Sequence, residues 1–211
     1  NLMRLVTFGF LDGYYYKPRV DKELLQKYHR GLIALSACLK GEIIKLIRGN
    51  DLEAAKRTAL EYQDIFGADN FYLEIQDQNI EEQKTINETL AQMSADLKIP
   101  LVATNDIHYT NKEDSTAHDV LLCIQTGSTL GAENRLKFST QEFYFKSSEE
   151  MAEIFPKHPE ALENSLRIAE RCQVKIDFDK IYLPHYESPP GYDLDSYLEK
   201  LCFEGLKNRY S

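Results

Sequence analysis

Short apolar runs alternate with amphipathic helical patterns over residues 31–109. The runs read GLIALSAC, NFYLEIQ and LVATND, beginning at Gly31, Asn70 and Leu101. They are nearly continuous rather than alternating, which is typical of strands in a sheet that is covered on both faces. The strand–helix–strand order predicts βαβ units that build a parallel sheet or barrel.

Two helices are predicted between these runs from apolar spacings of three and four residues. In NDLEAAKRTALEYQDIFG, Asn50 or Asp51 is suited to cap the helix and Gly67 to end it. The second helix, EEQKTINETLAQMSADLK, is closed by Pro100. The apolar positions are Leu52, Ala55, Ala59, Tyr62 and Phe66 in the first helix, and Ile86, Leu90, Met93 and Leu97 in the second.

The pattern changes after Thr110. EDSTAHDVLLCIQTG is predicted to be helical, RLKFSTQEFYFKS to be an extended loop or edge segment, and residues 148–155 and 159–173 to form two more helices. A Pro-rich connector, YLPHYESPPGYD, then precedes a last amphipathic helix. We therefore place a domain boundary near Asp179 to Pro190, with the first domain ending at residue 178.

Composition and charge narrow the class of protein. Hydrophobic residues make up 43% and charged residues 28% of the 211 residues, an ordinary globular mixture. The net charge of -9 argues against a chain that coats nucleic acid non-specifically, although it leaves room for a local basic channel. The four cysteines form no CxxC pair, so a reducing, cytosolic setting is expected, and no apolar run is long enough for a membrane span.

Asp106 and His108 are the first candidates for chemistry. They follow the apolar run LVA, and side chains two residues apart on an extended strand point to the same face. Ligands of parallel β/α folds collect at the carboxyl ends of the strands. A carboxylate beside an imidazole suits Zn²⁺, Mn²⁺ or Fe²⁺. The alternative is an Asp that caps the next turn beside a half-buried His.

Cys38 and Glu74 end two other predicted strands and would reach the same rim. The alternatives are a buried Cys that packs as a small hydrophobe, and a barrel-lining carboxylate held by a Lys or Arg. The remaining cysteines lie in helical apolar patterns and are interpreted as packing residues; they are Cys123, Cys172 and Cys202. For Arg135 and Lys137, solvated surface charge is favoured over contact with a nucleic-acid backbone.

Several blocks of sequence resemble the N-terminal polymerase-and-histidinol-phosphatase (PHP) domain of bacterial DNA polymerase III alpha subunits. They are GLIALSACLKGEI, FYLEIQDQNIEEQKTINETLAQMSADLKIPLVATNDIHYT, DSTAHDVLLCIQTGSTL, NRLKFSTQEFYFKSSEEM and EALENSLRIAERCQVKI. They occur in order along nearly the whole chain. The resemblance implies an α/β fold, the C-terminal part of a distorted, TIM-barrel-like β/α barrel, with trailing helices that lead into the polymerase palm.

The resemblance also assigns residues and segments. Cys38, Asp106 and His108 match metal ligands, and Asp106 and His108 match catalytic positions. Residues 1–178 match the second half of the PHP domain, and residues 179–211 match a connector and the first helix towards the palm. The opening H-x-H motif and further ligands are expected before Asn1, and the palm carboxylates after Ser211. The chain is therefore expected to be a fragment, of marginal stability and inactive alone.

The function implied is that of a replicative DNA-directed DNA polymerase. Its PHP domain would carry a metal-dependent phosphoesterase or 3′–5′ exonuclease proofreading site with Zn or Mn, while Mg would serve the polymerase site outside this chain. Implied partners are DNA, a proofreading exonuclease and the sliding clamp, in the cytoplasm and without a membrane. Two alternatives stay open: a metal-free scaffold that docks a separate exonuclease, and a stand-alone PHP phosphatase acting on a small phosphomonoester. The segment beyond Val174 argues against the second.

Overall fold

A three-stranded parallel sheet organises the first part of the chain. The computed structural model describes residues 1–210 and divides into two compact units, Asn1–Cys172 and Gln173 onwards. In the first unit the strands are β1 (Ala34–Leu35), β2 (Phe71–Ile75) and β3 (Leu101–Ala103), in the order β1-β2-β3. Ala34 pairs with Phe71, and Leu73 pairs with Leu101. The predicted α/β class with a parallel sheet is confirmed.

Helices connect and cover these strands. In the first unit they are α1 (Leu2–Leu11), α2 (Lys22–Tyr28), α3 (Glu42–Arg48), α4 (Leu52–Phe66), α5 (Glu81–Leu97), α6 (Ser115–Thr126), α7 (Ser148–Ile154) and α8 (Pro159–Arg171). A short 3₁₀ turn, Lys112–Asp114, leads into α6. Both parallel pairs of strands are thus joined by helical crossovers, as parallel strands require.

The core lies between the sheet and its helices. Leu73 and Ile75 are fully buried in the central strand, so β2 has both faces covered. The predicted helix faces supply its partners: Ala55 and Ala59 from α4 are fully buried, and Ile86, Leu90 and Met93 from α5 are nearly so. Leu52 is the exception, since it stays 41% exposed at the start of α4.

The ends of α4 form as the sequence predicts. The Asp51 side chain accepts a hydrogen bond of 3.0 Å from the Ala54 backbone N–H, which satisfies one of the free donors of the first turn. Gly67 ends the helix at φ +91°, a conformation that residues with a Cβ rarely adopt. By contrast, α5 ends at Lys98, which takes the left-handed conformation without being a glycine.

Strand β1 is shorter than the apolar run that predicted it. The run continues to Cys38, but the strand ends at Leu35 and the chain turns at Ala37, whose φ is +66°. The turn is closed by the Gly41 N–H, which donates a 2.7 Å hydrogen bond to the Cys38 carbonyl. Cys38 therefore lies in a turn and not on a strand.

The second unit contains one helix, α9 (Leu194–Tyr210), within the described residues. The split after Cys172 lies six residues before the predicted domain end at 178, and the roles assigned to the two segments stay predictions. Two cysteines interpreted as packing residues are exposed, Cys172 at the end of α8 and Cys202 on α9, whereas Cys123 is buried. Within residues 1–210, no helix has the length and hydropathy needed to cross a membrane.

Candidate metal and phosphoester site

Asp106 and His108 lie together in the loop that follows β3. His108 Nε2 is 3.2 Å from Asp106 Oδ1, and each side chain is 37% exposed. The loop is fixed by backbone contacts. The N–H of His108 donates a 2.8 Å hydrogen bond to the carbonyl of Phe143, and Tyr109 forms an isolated parallel β-bridge with Tyr144. The pair is thus held in place yet open to solvent.

Asp106 and His108 lie close together as predicted, but a loop and not a strand brings them together. We expected an extended strand through residue 108, but β3 ends at Ala103. The loop is positioned instead by a segment about 35 residues further along the chain. Asn105 contributes to this contact, since its Nδ2 donates a 3.0 Å hydrogen bond to the Tyr144 carbonyl.

Aromatic rings surround the imidazole of His108. Its ring centroid lies 4.7 Å from Phe138, 5.5 Å from Phe143 and 5.6 Å from His118. Burial, and then the neighbouring His108, lower the pKa of His118. Near neutral pH this favours an uncharged His118 ring beside His108.

Cys38 occupies a separate small cavity beside the end of β2. Glu74, Gln76 and Asn87 line it with Cys38, and its volume of about 10 Å³ is roughly the room for one water molecule. Cys38 follows β1, while the Asp106–His108 loop follows β3. Since β2 lies between β1 and β3, these two strands are two strand spacings, about 10 Å, apart.

The three predicted ligands are therefore not gathered into one group in this chain. Within residues 1–210, no three His, Cys, Asp or Glu side chains come together as a group that could hold a metal ion. The structure brings Asp106 and His108 into contact and leaves Cys38 at the same edge of the sheet, on the far side of β2. Asp106 and His108 form the pair to which a metal hypothesis applies directly.

Glu74 belongs to a polar network at the end of β2. Its Oε1 accepts hydrogen bonds from Gln76 Nε2, at 2.9 Å, and from the Thr104 hydroxyl, while its backbone N–H donates to Ser36 Oγ. The sequence offers a neighbouring Lys or Arg as one possible partner of this carboxylate, but amide and hydroxyl groups take that place. The network connects the ends of all three strands.

Two buried glutamines in this region were not anticipated. Gln76 Oε1 and Gln78 Nε2 have no hydrogen-bond partner among the described residues, although Gln78 is fully buried. Gln83, at the start of α5, pairs with Gln78. The sequence did contain a signal for them. Gln76 and Gln78 are two residues apart directly after β2, so they continue the two-residue period of the strand and lie on one face of it.

Arg135 is a partner of Asp119 and not a solvated surface charge as predicted. Its two terminal nitrogens lie 2.5 and 2.7 Å from the two carboxylate oxygens, and its side chain is only 10% exposed. This bidentate contact holds the pKa of Asp119 below its ordinary value. Lys137, the other predicted surface charge, makes no hydrogen bond or ion pair within residues 1–210 and lies beside Asp119.

The donor chemistry of Asp106 and His108 suits a divalent cation. Two ligands bound at about 2.0–2.1 Å to one tetrahedral ion stand about 3.3 Å apart, and the observed separation of the nitrogen and oxygen is 3.2 Å. Catalytic zinc sites use three protein ligands and an open position. The pair fits part of such a site and requires at least one further ligand.

Comparison with known proteins shows what the chain is similar to. Residues 1–78 match the PHP domain family. Its relatives are DNA polymerase III alpha subunits: the chain is 50% identical to that of Borreliella burgdorferi, 44% identical to that of Treponema pallidum and 41% identical to that of Thermus aquaticus. Each alignment covers 100% of this chain and 18% of the relative.

The chain thus spans about a fifth of the length of the curated relatives it matches. The resemblance to the PHP domain of these polymerase subunits is confirmed, and so is the fold class. The family match ends at residue 78, whereas the predicted domain extended to residue 178. The assignment of residues 79–178 to the same domain stays a prediction.

Proposed function

We propose that this chain forms part of the PHP domain of a bacterial replicative DNA polymerase, where Asp106 and His108 hold a divalent metal ion. The observation that carries the metal assignment is the 3.2 Å separation of His108 Nε2 and Asp106 Oδ1, close to that of two donors on one ion. Zn and Mn are the proposed ions, because both accept mixed oxygen and nitrogen ligands. Cys38 is the third proposed ligand.

The proposed reaction is hydrolysis of a phosphodiester at a DNA 3′ end, a proofreading activity. A divalent ion would supply Lewis-acid polarisation of the phosphate. The protein's part is orientation: the backbone hydrogen bond from His108 to Phe143 fixes the loop that carries both proposed ligands. Their 37% exposure leaves room for a phosphoester to approach.

DNA-directed DNA synthesis is the proposed activity of the whole protein, with Mg at its polymerase site. Similarity to DNA polymerase III alpha subunits along the whole of this chain, which covers 16–18% of their length, supports it. On this proposal the protein acts on DNA in the cytoplasm together with other replicase subunits, among them the sliding clamp and a proofreading exonuclease. Primer extension by a longer protein that contains this sequence tests the proposal, and an absence of nucleotide incorporation would contradict it.

Metal binding by the 211-residue chain tests the site directly. Co²⁺ is titrated into wild type, Asp106→Ala, His108→Ala and His158→Ala, followed by calorimetry and visible absorption. His158 is the matched control, because it also pairs with a carboxylate, Glu160, at 3.4 Å. We expect the first two variants to lose binding and His158→Ala to keep it. Equal stoichiometry in all four proteins would refute the assignment.

Cys38 has its own readout in the same titration. A thiolate ligand adds a sulfur-to-cobalt charge-transfer band. Cys38→Ser should abolish this band and weaken binding at the pair, which needs a further ligand. Cys123→Ser is the matched control, since Cys123 is buried on α6. Bound cobalt without such a band would exclude Cys38 from the site.

A metal-free scaffold that docks a separate exonuclease is the second candidate function. It is favoured by the absence, within residues 1–210, of a group of three potential ligands. A longer protein that holds no Zn or Mn and still binds an exonuclease subunit would support it. Metal content that depends on Asp106 and His108 would exclude it.

A further inference from the structure

A second cavity lies beside the Asp106–His108 pair and is not used by the proposed metal site. Its volume is about 190 Å³, and the rings of His118 and Phe138 form the wall between it and His108. The lining combines rings with polar groups: Tyr109, Thr116, His118, Lys137, Phe138 and Gln141. This size is below the range of about 300–1,000 Å³ for pockets that enclose drug-sized ligands, so a nucleotide would be only partly enclosed.

One side of this cavity is aromatic. The ring centroids of Tyr109 and His118 are 5.3 Å apart, and those of His118 and Phe138 are 4.9 Å apart. Phe138 is fixed from behind by Phe143, at 4.4 Å. Flat rings of this kind stack nucleobases without regard to their sequence.

The other side carries polar groups that have no partner in the protein. Within the described residues, the side chains of Ser115, Thr116, Lys137 and Gln141 make no hydrogen bond or ion pair. An ammonium group, two hydroxyls and an amide thus line one cavity, and a ligand there would replace water as their hydrogen-bond partner.

The acidic residue of the cavity does not cancel the positive charge. Both oxygens of Asp119 are held by the guanidinium of Arg135. That leaves the ammonium of Lys137 as the lining cation without an ion-pair partner in residues 1–210. An anionic group that enters the cavity would therefore meet Lys137 with little competition from the protein.

We infer that this cavity binds a single nucleotide, with its base against Tyr109 and Phe138 and its phosphate on Lys137. Gln141 and the hydroxyls of Ser115 and Thr116 provide hydrogen bonds to the base, sugar or phosphate. The choice of a nucleotide among phosphorylated ligands rests on the proposed function, because the cavity adjoins the pair that would act on a DNA 3′ end. The cavity would hold the terminal nucleotide, or the monophosphate after hydrolysis.

Binding without metal separates this inference from the proposed function. The 211-residue chain, in EDTA, is titrated with deoxyadenosine monophosphate, deoxyadenosine and inorganic phosphate, and the ring proton signals of His118 are followed by NMR. We expect the monophosphate to bind at least about tenfold more tightly than either of its parts, since both walls contribute. Asp106→Ala should keep this binding even where it loses metal.

Variants assign the two walls. Lys137→Gln should weaken the monophosphate about tenfold and leave deoxyadenosine unchanged, while Lys157→Gln, an exposed lysine outside the cavity, should change neither. Phe138→Leu should weaken the binding of deoxyadenosine. Far-ultraviolet circular dichroism checks that this variant is folded. No shift of His118 signals at millimolar monophosphate, or equal affinity in Lys137→Gln and wild type, would overturn the inference.

Discussion

Replacing Asn164 tests how helix α8 is fixed to strand β3. Asn164 Nδ2 donates a 2.7 Å hydrogen bond to the carbonyl of Leu101, and Asn164 is only 9% exposed. The carbonyl of the preceding residue, Pro100, takes part in the pairing of β3 with β2, because it accepts a hydrogen bond from the Leu73 N–H. Since successive carbonyls of a strand point to opposite sides, the Leu101 carbonyl faces away from β2 and depends on Asn164.

The cost of losing this contact follows from burial. Asn164→Ala leaves the buried Leu101 oxygen without a donor, which should lower the free energy of unfolding by about 1–3 kcal/mol. Asn164→Asp keeps the size of the side chain but sets a carboxylate oxygen against the carbonyl oxygen. At neutral pH it should therefore cost more than the alanine, so the order of stability is wild type, then Ala, then Asp.

Urea unfolding followed by far-ultraviolet circular dichroism measures these differences. Ser165→Ala is the control on the next residue of α8, because Ser165 is exposed and bonds only within its own helix. It should change stability by less than about 0.5 kcal/mol. An Asn164→Ala protein within about 0.3 kcal/mol of wild type, or an Asp variant more stable than the Ala variant, would refute the reasoning.

Two further predictions concern a turn and a buried lysine. A Cβ at Gly41 would lie 2.4 Å from the Ser36 carbonyl oxygen, so Gly41→Ala should lower the free energy of unfolding in urea by about 1–3 kcal/mol. Gly131→Ala is the control, because Gly131 has open space around it and the added methyl group should cost nothing comparable. Equal losses in the two variants would contradict the turn geometry. Burial lowers the pKa of Lys146 more than Glu142 raises it, so the unfolded chain holds this proton up to a higher pH than the folded one. Stability relative to Lys146→Met should therefore rise as pH increases from the folded pKa towards 10.5, and parallel pH profiles of the two proteins would contradict this.

The parts of the fold that could be predicted are those fixed by local periodicity. Helices α4 and α5 bury positions spaced by three and four residues, and Asp51 and Gly67 mark the ends of α4 by their own chemistry. The end of β1 could not be read in this way. Apolar residues continue to Cys38, but apolar character reports burial and not backbone direction, so the turn at Ala37 left no trace in the pattern.

The candidate site depends more on contacts between distant residues. The closeness of Asp106 and His108 was predicted, yet it results from pairing with Phe143 and Tyr144, which no local pattern reveals. The separation of Cys38 from this pair follows from strand order, a property of the whole sheet. The burial of Gln78 also depends on residues that are distant in the sequence. Thr140, for example, donates a hydrogen bond to the Gln78 carbonyl.

The order of the strands has a consequence for how the chain acquires its structure. Neighbours in the sheet are also successive along the sequence, so β2 can add to β1 and β3 to β2 as each emerges during synthesis. Among the three strands of residues 1–210, no later strand has to be inserted between two that are already paired. Growth of the sheet from one side exposes a single new edge at each step, which limits the time during which any unpaired strand can associate with another chain.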